Sequence, residues 1–285
     1  MTGGVLQAAA WTARTFGQLP GRWRLVRWLE QHEREVAALP PQTVRFAGAL
    51  RMRVDPRDEN GRRVFVTGFD RRERLTRLFI DLLRRGDTVL DLGANVGYYT
   101  MVASHLVGPD GMVHAFEASP FVLPWLEASL RRSGDASANI RVHGVAVAQD
   151  CGEIAFHSAP PEKTGFSSIR DLGHACSETT AVPSVAIDSM LDELTPVRLV
   201  KMDIEGAELL ALRGMEHLLR RDRPHIISEM DDDFLRQLGG SAVEMCLFLI
   251  ERGYELRRII ERGDTTPLRE PPTERCNVLA TPIGA

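Results

Sequence analysis

The chain has 285 residues, 44% hydrophobic and 26% charged, which is enough for one large domain with an appendage. Its 35 basic and 39 acidic residues leave a net charge of -4, without the basic excess that draws a protein to nucleic acid. Cys151, Cys176, Cys246 and Cys276 form no CxxC pair, which argues against a zinc ribbon or a dense disulfide framework and suits reduced thiols in a cytoplasmic protein.

No apolar run is long enough to cross a bilayer, and the first residues lack the pattern of a signal peptide. Trp11, Phe16, Trp23, Leu25, Val26, Trp28 and Leu29 recur at amphipathic helical spacing. A helix packed on the main domain is the plain reading; a membrane-surface helix or a homodimer contact is the sharper one. Pro40 and Pro41 end this region. Two strand-like runs, 44–54 and 63–67, flank Asp58-Glu59-Asn60-Gly61, and the Asn-Gly step predicts a hairpin turn. Arg71, Arg72 and Arg74, like Arg84 and Arg85, read as solvated helix faces. Leu75, Leu78, Phe79, Leu82 and Leu83 predict a helix.

From Gly86 onward strands and helices alternate. Strands are expected at 88–92, 112–116 and 140–147, with helices at 98–106 and 120–132. A Ser/Thr/Gly/Pro-rich stretch then separates strand-like runs at 153–158 and 182–187, an insertion or active-site loop. Strands at 198–202, 225–228, 254–260 and 277–281 and helices at 207–219 and 243–252 complete the pattern. Such alternation implies a mostly parallel α/β sheet with helices on both faces. The expected division is a helical and hairpin extension over 1–70 and a Rossmann-like domain over 71–285.

Asp91-Leu92-Gly93-Ala94-Asn95-Val96-Gly97 lies between a buried strand and a helix. Glycines there allow a tight turn and close approach of a ligand, and the helix start offers free N–H groups. Asn95 stands where the dinucleotide pattern GxGxxG needs its second glycine, so the loop favours a ligand other than NAD. Glu117, at the end of the next strand, can accept both hydroxyls of a ribose. In the segment 200–208, Asp203 and Glu205 project from a strand end towards the same crevice, while Glu208 suits the first turn of a helix.

The segments DLGANVGYYT, HAFEASP and VKMDIEGAE together resemble the FkbM family of S-adenosylmethionine-dependent methyltransferases, over roughly residues 64–260. The resemblance implies a class I methyltransferase sheet with an antiparallel last strand. It implies a loop of Asp91, Gly93, Ala94, Asn95 and Gly97 under the methionine part of the cofactor, with Tyr99 and Glu73 nearby. Glu117 would hold the ribose, with Ala118 and Ser119 beside the adenine and Ala146 and Val147 flanking it from the other side. Asp203 would sit near the sulfonium. Ala118-Ser119-Pro120 departs from the family's more usual Glu-Pro-x-Pro. Family members methylate hydroxyls of sugars or polyketides, and some act on amide nitrogens of peptides.

A hydroxyl acceptor needs a general base or a metal. Asp203, Glu205 and Glu229 are the catalytic candidates, with His225 and His174 behind them. Asp203 and Glu229 at adjacent strand ends could bind one Mg2+. A helix cap by Asp231–Asp233 is favoured over that, so no metal is assigned. Thr164-Gly165-Phe166-Ser167-Ser168 suits the wall of an acceptor pocket. The competing readings are a nucleotide-dependent oxidoreductase and a non-catalytic binding module; RNA methylation is disfavoured by the acidity.

Overall fold

The computed structural model describes residues 2–16, 21–71 and 73–284, so Arg72 of the first arginine cluster lies outside the described residues. Helices α1 (Gly3–Thr15), α2 (Arg22–Gln31) and α3 (Glu33–Ala37) open the chain. Leu6, Ala10, Ala13, Val26 and Leu29 are buried among Val64, Phe65 and the α/β core, so these helices pack on the main body as the amphipathic spacing predicts. Trp11 faces outward.

The hairpin expected between 44–54 and 63–67 does not form; a shorter one lies within and just before the first run. Strands β1 (Gln42–Arg45) and β2 (Arg51–Val54) pair across the turn at 46–50. The expected partner strand at 63–67 is instead helix α4 (Glu59–Thr67). Asp58 supplies its N-cap, accepting from the Gly61 amide at 2.7 Å. The Asx cap outcompetes the Asn60-Gly61 hairpin turn because Val64 and Phe65 then bury on one helical face. Helix α5 (Arg74–Leu82) follows, capped by Glu73 through the Thr76 amide at 2.7 Å.

The central sheet uses β3 (Thr88–Leu92), β4 (Met112–Phe116) and β5 (Ile140–His143). Between them lie α6 (Tyr98–Val107) and α7 (Leu123–Ser133); α7 starts three residues later than Pro120 suggests, with Pro124 in its first turn. The expected strand 140–147 divides at Gly144. Its second piece, β6 (Ala146–Val147), joins β7 (Gly152–Ser158) and β8 (Glu178–Val185) in a separate three-stranded sheet. The chain returns through β9 (Val197–Met202). The expected helix 207–219 is two, α8 (Glu208–Arg213) and α9 (Glu216–Asp222), because Gly214 passes so close to the Ala148 carbonyl that a Cβ would collide with it. β10 (His225–Met230), α10 (Asp232–Gln237), α11 (Ala242–Glu251), β11 (Tyr254–Ile259), β12 (Thr265–Pro267) and β13 (Cys276–Pro282) finish the fold.

The sheet order is β12-β11-β13-β10-β9-β3-β4-β5. The run from β10 to β5 is parallel, and β13 is antiparallel to both of its neighbours, as expected for the last strand. Side chains alternate between the two faces. Val89, Val113, Ala115 and Leu199 join α5, α6 and α7 on one side; Leu90, Leu92, Val200 and Met202 join α8, α9 and α11 on the other. Both faces are thus covered, which is why the parallel strands read as unbroken apolar runs. The four cysteines are free thiols, and no helix among the described residues is long and apolar enough to cross a membrane.

Candidate active site

Ligands of open α/β sheets bind outside the carboxyl ends of the strands, and the cavities here lie at that edge. One lobe is mainly apolar: Phe116, Val145, Ala146, Val147, Phe156 and Ile169 contribute to its wall, with Glu117 and Ala118 beside them. The other is polar: it includes Asn60, Arg63, Ala94, Tyr98, Tyr99 and Lys201. Gly93, Asn95, Gly165 and Asp203 line both, so the two lobes meet at the glycine loop.

The loop is held from three directions. Gly93 has φ 77°, and a Cβ on it would collide with the Asp203 carbonyl, so the residue must be glycine on both counts. Asn95 also sits at positive φ, 50°, with its Oδ1 accepting from the Val96 amide at 2.7 Å. Glu117 accepts from the Asn95 amide at 2.7 Å and the Ser119 amide at 2.8 Å, tying the loop to the end of β4. Burial raises the Glu117 pKa, and the two backbone bonds and Lys201 work against that rise.

Asp91 lines neither lobe. It is fully buried, accepts from Thr100 Oγ1 at 2.6 Å, and pairs with Lys201 Nζ at 3.2 Å. Lys201 was not singled out in the sequence, although a signal existed: Asp91 and Lys201 are the charges at the carboxyl ends of two apolar strands, and they prove to be register neighbours. The Lys201 ammonium also donates to the Gly93 carbonyl at 2.8 Å and the Leu92 carbonyl at 3.4 Å. Gly97 and Ser119 likewise support the loop without lining either lobe; Ser119 lines an adjoining hollow with Phe121 and Trp125. Glu73 stands behind the polar lobe as the cap of α5, its charge felt by Arg63, Tyr98 and Tyr99.

On the far side of the loop, Asp203, Glu205 and Glu229 bring carboxylate oxygens within 4.8 Å of one another, and Asp203 alone of the three lines the lobes. Arg275 covers the other two, 3.1 Å from Glu205 Oε1 and in contact with Glu229 Oε2. Nothing in the sequence flagged Arg275, which comes from irregular chain before β13. Burial, then Asp203, pushes the Glu205 carboxyl up to about 8, against the pull of Arg275. Burial and Asp203 raise Glu229 as well. Glu208 is buried and accepts from the Ile204 and Gly206 amides at 3.0 Å each, shaping the turn that presents Asp203. Asp231 caps α10 through the Asp233 and Phe234 amides, as the helix-cap reading expects. His225 opens β10, at the opposite edge of the sheet from Glu229, and His174 is exposed; neither lines a lobe.

Thr164, Gly165 and Ser167 roof the apolar lobe, and Gly165 also lines the polar one. Thr164 is tied to Asp58 at 2.8 Å, and Ser168 donates to the Glu205 carbonyl at 2.8 Å, so the roof joins α4 to the acidic turn.

These lobes fit a ligand with an aromatic base at one end and a charged tail at the other: an apolar slot beside Glu117, and a polar lobe lined by Arg63 and Lys201. On a sheet whose last long strand runs against the rest, such a crevice defines the class I S-adenosylmethionine-dependent methyltransferases. The chain belongs to the FkbM family of that class: the profile described as "Methyltransferase FkbM domain" matches residues 91–256.

Among curated relatives, the chain is 24% identical to the hexuronic acid methyltransferase AglP of Haloferax volcanii over 50% of this chain and 56% of that one. It is 28% identical to the 31-O-demethyl-FK506 methyltransferase FkbM of Streptomyces tacrolimicus over 47% of this chain and 61% of that one. The match thus spans little more than half the length of either relative. Among solved structures, the methyltransferase FkbM of Methylobacillus flagellatus aligns over 70% of this chain and 45% of its own, with 17% identity and a TM-score of 0.48.

Proposed function

We propose that the protein transfers a methyl group from S-adenosylmethionine to a hydroxyl of a small molecule, a sugar or another natural product. The observation that carries this reading is Asp203, the carboxylate shared by the apolar and the polar lobe. When bound, the cofactor supplies a methyl group already activated by its sulfonium. The chain has to align the acceptor, exclude water and take a proton. Phe116, Val147 and Phe156 would enclose the base, and Glu117 would accept ribose hydroxyls with the lone pairs its two amide bonds leave free. Asp203 would orient the acceptor hydroxyl and receive its proton. Glu205 and Glu229 reach the acceptor only if Arg275 moves, so Asp203 is the principal base in this scheme. The curated relatives support an oxygen acceptor, one being named for a hexuronic acid and the other for 31-O-demethyl-FK506.

The test is incubation with isotope-labelled S-adenosylmethionine and a panel of sugars and hydroxylated extracts, with products mapped by mass spectrometry. Label on oxygen is expected, and Asp203→Asn should lower turnover by roughly 10²- to 10⁴-fold, the usual contribution of a general base. Label on an amide nitrogen, or full activity in Asp203→Asn, would overturn the scheme. The sequence also allows a homodimer, and the outward-facing Trp11 on α1 supports that reading; sedimentation of wild type against Trp11→Glu checks it.

A further inference from the structure

The polar lobe contains two cations, Arg63 and Lys201, and they differ in what they have left to give. Lys201 is buried and carries three N–H donors. It donates to the Gly93 and Leu92 carbonyls and lies 3.2 Å from Asp91 Oδ1. Its charge is neutralised by Asp91, so it has no net charge to offer a ligand.

Arg63 is the opposite case. It projects from the middle of α4 and is exposed into the lobe. Its guanidinium lies 5.1 Å from the centroid of the Tyr98 ring, with Tyr99 acting on it from nearby. Among the described residues no carboxylate lies within ion-pair distance of it, and Glu73 acts on it only from further away. Burial pushes its pKa down, but Tyr99, Glu73 and Tyr98 outweigh that and the net shift is upward, so the charge is secure. Burial keeps Tyr99 neutral, so the hydroxyl is a dipole and not a counter-ion. A planar fork with five donors, beside an aromatic ring and with no ion-pair partner among the described residues, suits a carboxylate taken bidentately.

The position is also built. Asp58 caps α4 and bonds Thr164, the Glu59 amide donates to the Glu162 carbonyl at 3.3 Å, and Asn60 packs near Gly165. The helix carrying Arg63 is therefore fixed to the roof of the crevice.

We propose that Arg63 binds the α-carboxylate of the cofactor's amino-acid tail, so that α4, which precedes the matched residues 91–256, completes the cofactor site. This rests on the methyltransferase reading above, and the two can fail separately.

The probes are S-adenosylhomocysteine, which has the tail, and 5′-methylthioadenosine, which keeps the nucleoside and sulfur but lacks the amino acid. Each is titrated calorimetrically into wild type, Arg63→Met and Arg63→Lys. Arg63→Met should weaken S-adenosylhomocysteine by roughly ten- to a hundredfold, the usual size of a charge-assisted pair, and leave 5′-methylthioadenosine within about twofold. Arg63→Lys, which keeps the charge but loses the fork, should fall between. Unchanged S-adenosylhomocysteine affinity in Arg63→Met overturns the proposal. So does equal weakening of both ligands, which would mean general damage to the lobe. A wild type that binds neither ligand overturns the cofactor reading itself.

Discussion

Replacing Lys201 by Met tests how the glycine loop is held. The Lys201 and Asp91 side chains are 3% and 0% exposed, so neither charge is solvated in the fold. Methionine fills most of the volume but leaves Asp91 with Thr100 Oγ1 as its remaining donor and removes the donor to the Gly93 carbonyl. Breaking a buried pair by deleting one partner costs about 3–5 kcal/mol. At about 2 °C per kcal/mol for a chain of this size, melting should fall by about 6–10 °C in differential scanning calorimetry. The double variant Asp91→Asn with Lys201→Met removes the stranded charge and should recover about half of that loss. A single variant melting within about 1 °C of wild type would refute the reasoning, because a stranded buried carboxylate cannot be that cheap.

Glu117→Ala should weaken S-adenosylhomocysteine and 5′-methylthioadenosine alike, each by about tenfold or more in calorimetry, since both carry the ribose. That common loss separates it from Arg63→Met. The raised Glu205 carboxyl makes the folded state hold its proton more tightly than the unfolded state does. Its contribution to stability is therefore full below its ordinary value of 4.5 and is lost as pH rises to about 8. The melting temperature of Glu205→Gln minus that of wild type should accordingly grow across this window in thermal scans at stepped pH; a flat or falling difference contradicts the assignment. Asp58→Ala removes the cap of α4 and the tie to Thr164, which should cost about 1–2 kcal/mol and speed amide exchange over 162–167. Exchange unchanged there would mean that the roof is held elsewhere.

Much of this fold is visible in the sequence because the parallel strands are buried on both faces. Runs such as 88–92 and 112–116 admit one period and few alternatives, and they appear where expected. The loop from Gly93 to Gly97, Glu117 and Asp203 were legible for a related reason: each lies at the carboxyl end of a recognisable strand. The misreadings have physical causes. Asn60-Gly61 offers a hairpin turn, but Asp58 offers a helix cap, and only burial of Val64 and Phe65 decides between them. The break at Gly214 is set by the Ala148 carbonyl, which is remote in sequence. Arg63 and Arg275 reach the site from outside the alternating pattern, one in a misread segment and the other on irregular chain, so no periodicity pointed to them.

The central claim is that the glycine loop, Glu117 and the two lobes form a site for an adenosyl amino acid and not for a dinucleotide. Calorimetric titration of the wild-type chain with S-adenosylhomocysteine and, separately, with NAD and NADP tests it most directly. Saturable one-to-one binding of S-adenosylhomocysteine with no heat from either dinucleotide is the predicted result; binding of NAD or NADP with none of S-adenosylhomocysteine would contradict it.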